Sequence, residues 1–209
     1  MMDNDKNLNP MENPIRYMLV GVGGQGTILA SDVLAEVGLK MGCDVKQAEI
    51  HGMSQRGGSV ISNVVWAKQV FSPIISEGEA DVLVAFEKME ALRFLPYLKP
   101  GGIVLVNDYA ITPVTVSAGK MSYPDNHEIH SKLSLVCKGQ YWVKGVEIAE
   151  SLGNAKAANV VLLGGLSALI GEDASPWIEA IVNRVPKKYL ELNQKAFESG
   201  REAVLGGKA

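Results

Sequence analysis

The sequence predicts an α/β fold: a three-layer mixed sheet with an antiparallel hairpin and with helices gathered towards the C-terminus. Three observations predict it. From Arg16 an apolar run ends in GVGGQG, four glycines within six residues, and leads into a helix-periodic stretch. Short apolar runs then alternate with helix-periodic ones as far as Val143, which is the α/β signature. HGMSQRGGS joins two β-rich runs with no room for a helix, so those strands pair antiparallel. Gly21, Gly23 and Gly26 also satisfy G-x-G-x-x-G, the tight turn that brings bare backbone N–H groups to a helix N-terminus, so the layout is Rossmann-like.

Taken in order, residues 1–14 are polar, lack the apolar core of a secretory signal, and are expected to be a flexible lead into one domain over 15–209. Residues 27–41 form the first helix, with Ile28, Leu29, Val33, Leu34, Val37 and Met41 at helical spacing. Strands follow at 45–50 and 60–66, a connector at 71–79, and a strand at 81–86. A helix is expected over 87–98, carrying Met89, Leu92, Leu95 and Leu98 on one face and stopped by Pro100-Gly101-Gly102. Then come a strand at 103–106, a small edge strand at 112–116, a helix through Ile129, Leu133 and Val136, and a last strand at 141–143. Helices at 146–152, 157–170, 176–182 and 187–204 complete the chain, the last amphipathic through Leu190, Leu192, Ala196 and Phe197. Gly164-Gly165, in the middle of an apolar helix, mark close approach by another backbone, either within the domain or at a subunit contact.

Composition excludes several functions. The net charge of -3 and the lack of a basic block argue against nucleic acid as a main partner. The longest weakly polar run, 157–171, falls short of the roughly 20 residues of a membrane span, and a cytoplasmic location is expected. Cys43 and Cys137 are isolated from each other and from His51, His127 and His130. With no C-x-x-C and no four-ligand set, the chain cannot by itself hold an iron–sulfur cluster or a structural zinc. His127 and His130 are expected on a solvated helix face.

Two stretches besides the first glycine turn bear on binding. In the loop 51–59, Arg56 supplies a fixed positive charge, Ser54 and Gln55 supply donors, and Gly57-Gly58 allow successive N–H groups to curl around an anion. The same loop also reads as a plain hairpin turn with a solvated arginine. Asn107 and Asp108 end a strand at the carboxyl edge of the sheet, where open α/β folds bind ligands and where both residue types also make turns. Glu49 stands about where a dinucleotide enzyme places its ribose-binding acid, roughly 20 positions past the glycines, but the hairpin replaces the second half of such a fold.

Read together and in this order, GVGGQGTILASDVLAEVG, EIHGMSQRGGSVISNVVW, EGEADVLVAFEKMEALR and GNAKAANVVLLGGLSAL make the chain similar to the gamma-type domain of the 2-oxoacid:ferredoxin oxidoreductases. The nearest likeness is to the indolepyruvate-using members, and it runs from about Ile15 to the final helix. This resemblance implies a part in oxidative decarboxylation of a 2-oxoacid to an acyl-CoA. It implies a catalytic partner subunit holding thiamine diphosphate, Mg2+ and 4Fe–4S clusters, with electrons leaving to ferredoxin. A dimer of heterodimers is one assembly it allows. The chain has neither a G-D-G segment followed by Asn nor cluster ligands, which matches a subunit that leaves the redox chemistry to its partner.

The resemblance also implies coenzyme A binding here. Gly23, Gly24, Gln25 and Gly26 with Ser54, Gln55, Arg56, Gly57 and Gly58 would cradle its phosphates, and Asn107 is a further candidate. No catalytic residue and no metal ligand is assigned to the chain. Two other functions stay open on the residues: a free-standing nicotinamide or flavin oxidoreductase, and a structural subunit that binds no ligand.

Overall fold

The computed structural model describes residues 8–51, 58–112, 122–171 and 173–206. The strands are β1 (Ile15–Val22), β2 (Asp44–His51), β3 (Ser59–Ala67), β4 (Ala80–Ala85), β5 (Leu98–Asn107) and β6 (Gly139–Val143). The helices are α1 (Thr27–Lys40), α2 (Lys88–Arg93), α3 (Asn126–Ser134), α4 (Gly145–Ser151), α5 (Ala158–Ile170), α6 (Ser175–Arg184) and α7 (Leu190–Gly206). The six strands lie in the order β2-β3-β1-β4-β5-β6. β3 runs antiparallel to both neighbours, as the short loop requires, while β1, β4, β5 and β6 are mutually parallel.

β1 has buried side chains on both faces, which is why it reads as an unbroken apolar run rather than an alternating one. Tyr17 and Leu19 join one core with residues of α1 and α4 to α7; Met18 and Val20 join the other with α2 and α3. Three layers result. No helix among the described residues is long and apolar enough to cross a membrane.

The structure corrects several expectations. The helix expected over 87–98 stops at Arg93; a 3-10 turn at Leu95–Tyr97 follows, and Leu98 already belongs to β5, paired with Ala80. Pro96 explains this, since its ring would clash with the carbonyl of Leu92 and it has no N–H to donate. The buried residues of α2 are accordingly Glu90 and Ala91, not Met89 and Leu92. On α1, Ile28 and Met41 are exposed, and the inward face is Thr27, Ala30, Ser31, Val33, Leu34, Val37 and Gly38. β3 brings Trp66 directly beneath α1. A Cβ on Gly38 would stand 2.5 Å from its indole nitrogen, so the contact favours small residues. Val136 lies beyond α3, which buries Ile129 and Leu133. α7 buries Asn193, Ala196, Phe197, Gly200 and Val204, with Leu190 and Leu192 only half-buried.

In the N-terminal lead, Pro10 is buried and Leu8 packs on the core. The edge strand expected at 112–116 lies, beyond residue 112, outside the described residues. Gly164 faces the backbone of α7 at Phe197, so the close approach marked by Gly164-Gly165 is made inside the domain.

Candidate functional site

β1 and β4 are neighbours whose following helices leave to opposite faces of the sheet, α1 into one core and α2 into the other. A crevice at the carboxyl ends of such a pair is the topological switch point, the place where open α/β sheets bind ligands. The glycine turn 23–26 forms one lip of it and Phe86-Glu87-Lys88 the other.

The hairpin reaches the same lip. The Gly23 N–H donates to the carbonyl of Gly58 at 2.9 Å, extending the β1–β3 ladder in which Val22 stands opposite Ser59. Gly24 is exposed at φ 107°, and among the described residues nothing lies within 4 Å of where a Cβ would stand. Gly26, at φ 78°, caps α1 in the left-handed region under the side chain of Asn159, whose amide nitrogen donates to its carbonyl at 3.4 Å. No side chain caps α1 and no acidic residue lies in its first turn, so the positive end of its dipole is uncompensated by the helix itself.

Two predicted ligand residues are engaged elsewhere. Gln25 accepts from the Val22 N–H at 2.7 Å and donates to the Phe86 carbonyl at 2.8 Å. Asn107 is 2% exposed; it donates to that same Phe86 carbonyl at 3.1 Å and accepts from the Gly145 N–H at 2.9 Å. The two amides thus clasp the ends of β1, β4 and β5 and the start of α4 around one carbonyl. They shape the crevice and have little left to offer a ligand. Ser54, Gln55, Arg56 and Gly57 lie outside the described residues, whereas Gly23, Gly24, Gly26 and Gly58 come together at the carboxyl edge.

Asp108 is paired with Lys88 at 3.1 Å, and Lys88 also donates to Asn126 at 2.9 Å. Glu49 lies on β2, separated from β1 by β3 and so roughly 10 Å across the sheet from the glycine turn, at about 4.8 Å per strand. It accepts from Gln47 at 3.2 Å. A ribose-binding acid in a dinucleotide fold ends the strand next to β1, and here β3 occupies that place.

Sequence reasoning missed Glu87, which caps α2 from the end of β4, because the helix was expected to include it. It also missed Asn159, for which a lone Asn between alanine and valine offers no signal. Glu90, beside this lip, takes a hydrogen bond from the Ser59 hydroxyl and pairs with Arg93 at 3.1 Å. Burial pushes its carboxyl upward, opposed by Ser59 and Arg93 and reinforced by the charge of Glu87. A carboxyl raised in the folded state favours folding while protonated, and that contribution is lost as pH rises through the interval between its unfolded and folded values. The stability of Glu90→Gln relative to the natural protein is therefore expected to improve from about pH 4, the ordinary glutamate value, towards neutrality. Urea melts at a series of pH values measure this; a pH-independent difference would contradict the burial argument.

Among the described residues no group of three or more His, Cys, Asp or Glu is placed to hold a metal ion. His127 and His130 are exposed on α3, and His130 stacks on Trp142 with ring centroids 4.0 Å apart. A 4Fe–4S cluster takes four thiolates and the chain has two cysteines, one of them buried, so its own residues do not fit a cluster.

A glycine turn, a helix without a side-chain cap and a hairpin meeting at a switch point define an α/β domain in which the second half of a nucleotide-binding fold has been replaced. Residues 16–203 match the family described as pyruvate ferredoxin/flavodoxin oxidoreductase, and the chain belongs to that family. It is 41% identical over 190 residues to indolepyruvate oxidoreductase subunit IorB of Pyrococcus horikoshii, covering 90% of this chain and 94% of the relative. Identity to the IorB subunit of Thermococcus kodakarensis is 40% with the same coverage. In structure the chain is similar to the gamma subunit of a keto/oxoacid ferredoxin oxidoreductase from Geobacter sulfurreducens, with a TM-score of 0.68 and 27% identity over 92% of this chain and 99% of the other. It is the small subunit of a 2-oxoacid ferredoxin oxidoreductase.

Proposed function

We propose that this chain is the non-redox subunit of an indolepyruvate ferredoxin oxidoreductase and that it binds and positions coenzyme A. One observation carries the reading: the Gly23–Gly58 hydrogen bond ties the first glycine turn to the residue that leads into β3, at one lip of the switch-point crevice. The exposed Gly24 and the uncompensated N-terminus of α1 suit a phosphate there. Its relatives act on indolepyruvate, which supports an aryl pyruvate as the 2-oxoacid.

The contribution of the chain is positional. Gly23, Gly24 and Gly26, with Ser54 to Gly58 from the hairpin, hold the pyrophosphate and ribose phosphate through backbone N–H groups and the Arg56 guanidinium. The pantetheine arm then carries the thiol to the catalytic partner subunit. Anchoring one end of the acyl acceptor replaces a bimolecular encounter by an oriented one. Thiamine diphosphate with Mg2+ and iron–sulfur clusters in that partner supply the decarboxylation and the electron transfer to ferredoxin. No residue of this chain exchanges a proton. Gln25 and Asn107, engaged with Phe86, keep the crevice in shape.

Arg56→Ala in the assembled enzyme is expected to raise the KM for coenzyme A by up to about tenfold, the loss of one charge-assisted phosphate bond, with subunit stoichiometry unchanged. An unaltered KM with assembly intact would support a purely structural subunit. Calorimetric titration of the chain with NAD(H), NADP(H), FMN and coenzyme A tests the remaining reading; tight binding of a nicotinamide alone would establish it.

A further inference from the structure

The two lips of the crevice are tied to each other on both faces of the sheet. On the face covered by α1 the tie is Gln25, which lies over Gly21 and donates to the Phe86 carbonyl at 2.8 Å. On the other face it is Glu90 of α2, two residues past the second lip. Alternation along β3 puts Ser59 on the face of Ile61 and Val65, which pack in the core that holds Ala91 of α2. The Ser59 hydroxyl donates to the Glu90 carboxylate there. Because β1 lies between β3 and β4, this bond crosses the end of β1 and joins the hairpin to the helix that follows β4.

Both ends of the tie are fixed. Ser59 stands opposite Val22 and follows Gly58, whose carbonyl accepts from the Gly23 N–H at 2.9 Å. Glu90 is 3% exposed, pairs with Arg93 at 3.1 Å, and donates its own N–H to Glu87 at 3.1 Å. Folding alone is poorly served by a charge at this position. A neutral side chain of the same length would hold α2 on the sheet without the desolvation of a carboxylate, and burial already pushes this carboxyl upward. A group that works against stability at the mouth of a site is where function and stability conflict.

We infer that Glu90 is a positioning residue for coenzyme A: through Ser59 it fixes the start of β3 against the first glycine turn and so sets the spacing of the two lips. This role rests on the coenzyme A reading above and concerns the same crevice. Glu90 needs no contact with the ligand. Its loss slackens the grip on the phosphates, which enters the KM for coenzyme A, and leaves the chemistry in the partner subunit as it was.

Steady-state kinetics of the assembled enzyme test this. Glu90→Met keeps the length of the side chain and removes the acceptor, and Ser59→Ala removes the donor. Each is expected to raise the KM for coenzyme A about fivefold, the equivalent of one ordinary hydrogen bond, with kcat and the KM for the 2-oxoacid unchanged. Since Glu90 acts through Ser59, the double variant should be no worse than either single one. Glu90→Gln keeps an acceptor without the charge, and an intermediate rise of about twofold is expected. Equal rises in KM for both substrates, a fall in kcat, loss of the partner subunit, or additive effects in the double variant overturn the proposal. Arg56→Ala, measured alongside, separates the two levels. If it raises the KM for coenzyme A and the Glu90 and Ser59 variants do not, coenzyme A binding stands and the positioning role is overturned; if none of them does, coenzyme A binding falls and the positioning role with it.

Discussion

Replacing Gly164 by alanine is expected to lower the melting temperature by roughly 10 °C. α5 and α7 form the most intimate helix pair of the domain, and their approach is reciprocal. A Cβ at Gly164 would stand 2.9 Å from the carbonyl carbon of Phe197, and closer still to its oxygen, while one at Gly200 would meet the Val161 carbonyl in the same way. The obstacle in each case is backbone, so no side chain can rotate away and the helix axes must separate. That separation also loosens Leu162, Leu166 and Phe197, which are fully buried around the contact. Overpacking of this kind costs about 3 kcal/mol, and in a domain of this size each kcal/mol lowers the midpoint by roughly 2–4 °C. Gly206→Ala, at the far end of α7 with nothing within 4 Å of the added carbon, is the control and is expected to change the midpoint by no more than about 2 °C. Equal melting temperatures for the two variants in a calorimetric scan would show that α5 and α7 are free to move apart.

Glu87→Ala is expected to cost about 4 kcal/mol. The carboxylate is 1% exposed and gathers four donors. One oxygen accepts from the N–H groups of Met89, at 2.6 Å, and Glu90, at 3.1 Å, which caps α2. The other accepts from the Ile111 N–H at 3.0 Å and from the Tyr123 hydroxyl. Loss of the cap costs about 1 kcal/mol, and each further donor left without an acceptor about 1–3 kcal/mol. Tyr123 depends on the same group: burial, then the hydrogen bond to Glu87, hold its hydroxyl well above the ordinary tyrosine range. Glu87→Gln should recover less than half of the loss, because an amide nitrogen would meet donors at one of the two positions. Tyr123→Phe removes a single donor and should cost only about 1 kcal/mol. Urea titrations of the three variants give the comparison; full stability in Glu87→Gln would mean that fewer donors converge on this carboxylate.

Much of the layout was legible because local rules and tertiary placement agreed. Four glycines after an apolar strand have one economical use, and the loop before Val60 was too short for anything but antiparallel pairing, so the turn, α1 and the β2–β3 hairpin stand where expected. Disagreement arose where a neighbour decided the outcome. Ile28 and Met41 fit the helical period of α1 but stand exposed near its two ends, whereas Val33, Leu34 and Val37 between them pack into the core. Leu95 and Leu98 also fit a period, which Pro96 interrupts.

The candidate site divides in the same way. Backbone features were readable, because a glycine able to adopt positive φ is a property of the residue itself; Gly24 and Gly26 do so. Side-chain roles were not, because an amide can serve a ligand or a carbonyl equally well. Gln25 and Asn107 both serve Phe86, 61 residues from the first and 21 from the second.

By itself the sequence determined the alternation of most strands and helices, where the chain could turn sharply, and that two cysteines could not ligate a cluster. All of these depend on residues close together in the chain or on simple counting. Only the tertiary structure decided that β3 lies between β1 and β2, away from a nucleotide-binding order, that Gly164 meets the backbone of α7, and that Gly23 bonds Gly58 at the carboxyl edge. Those outcomes depend on which distant segments exclude water together, and contacts across the sheet and between helices leave no periodicity along the chain.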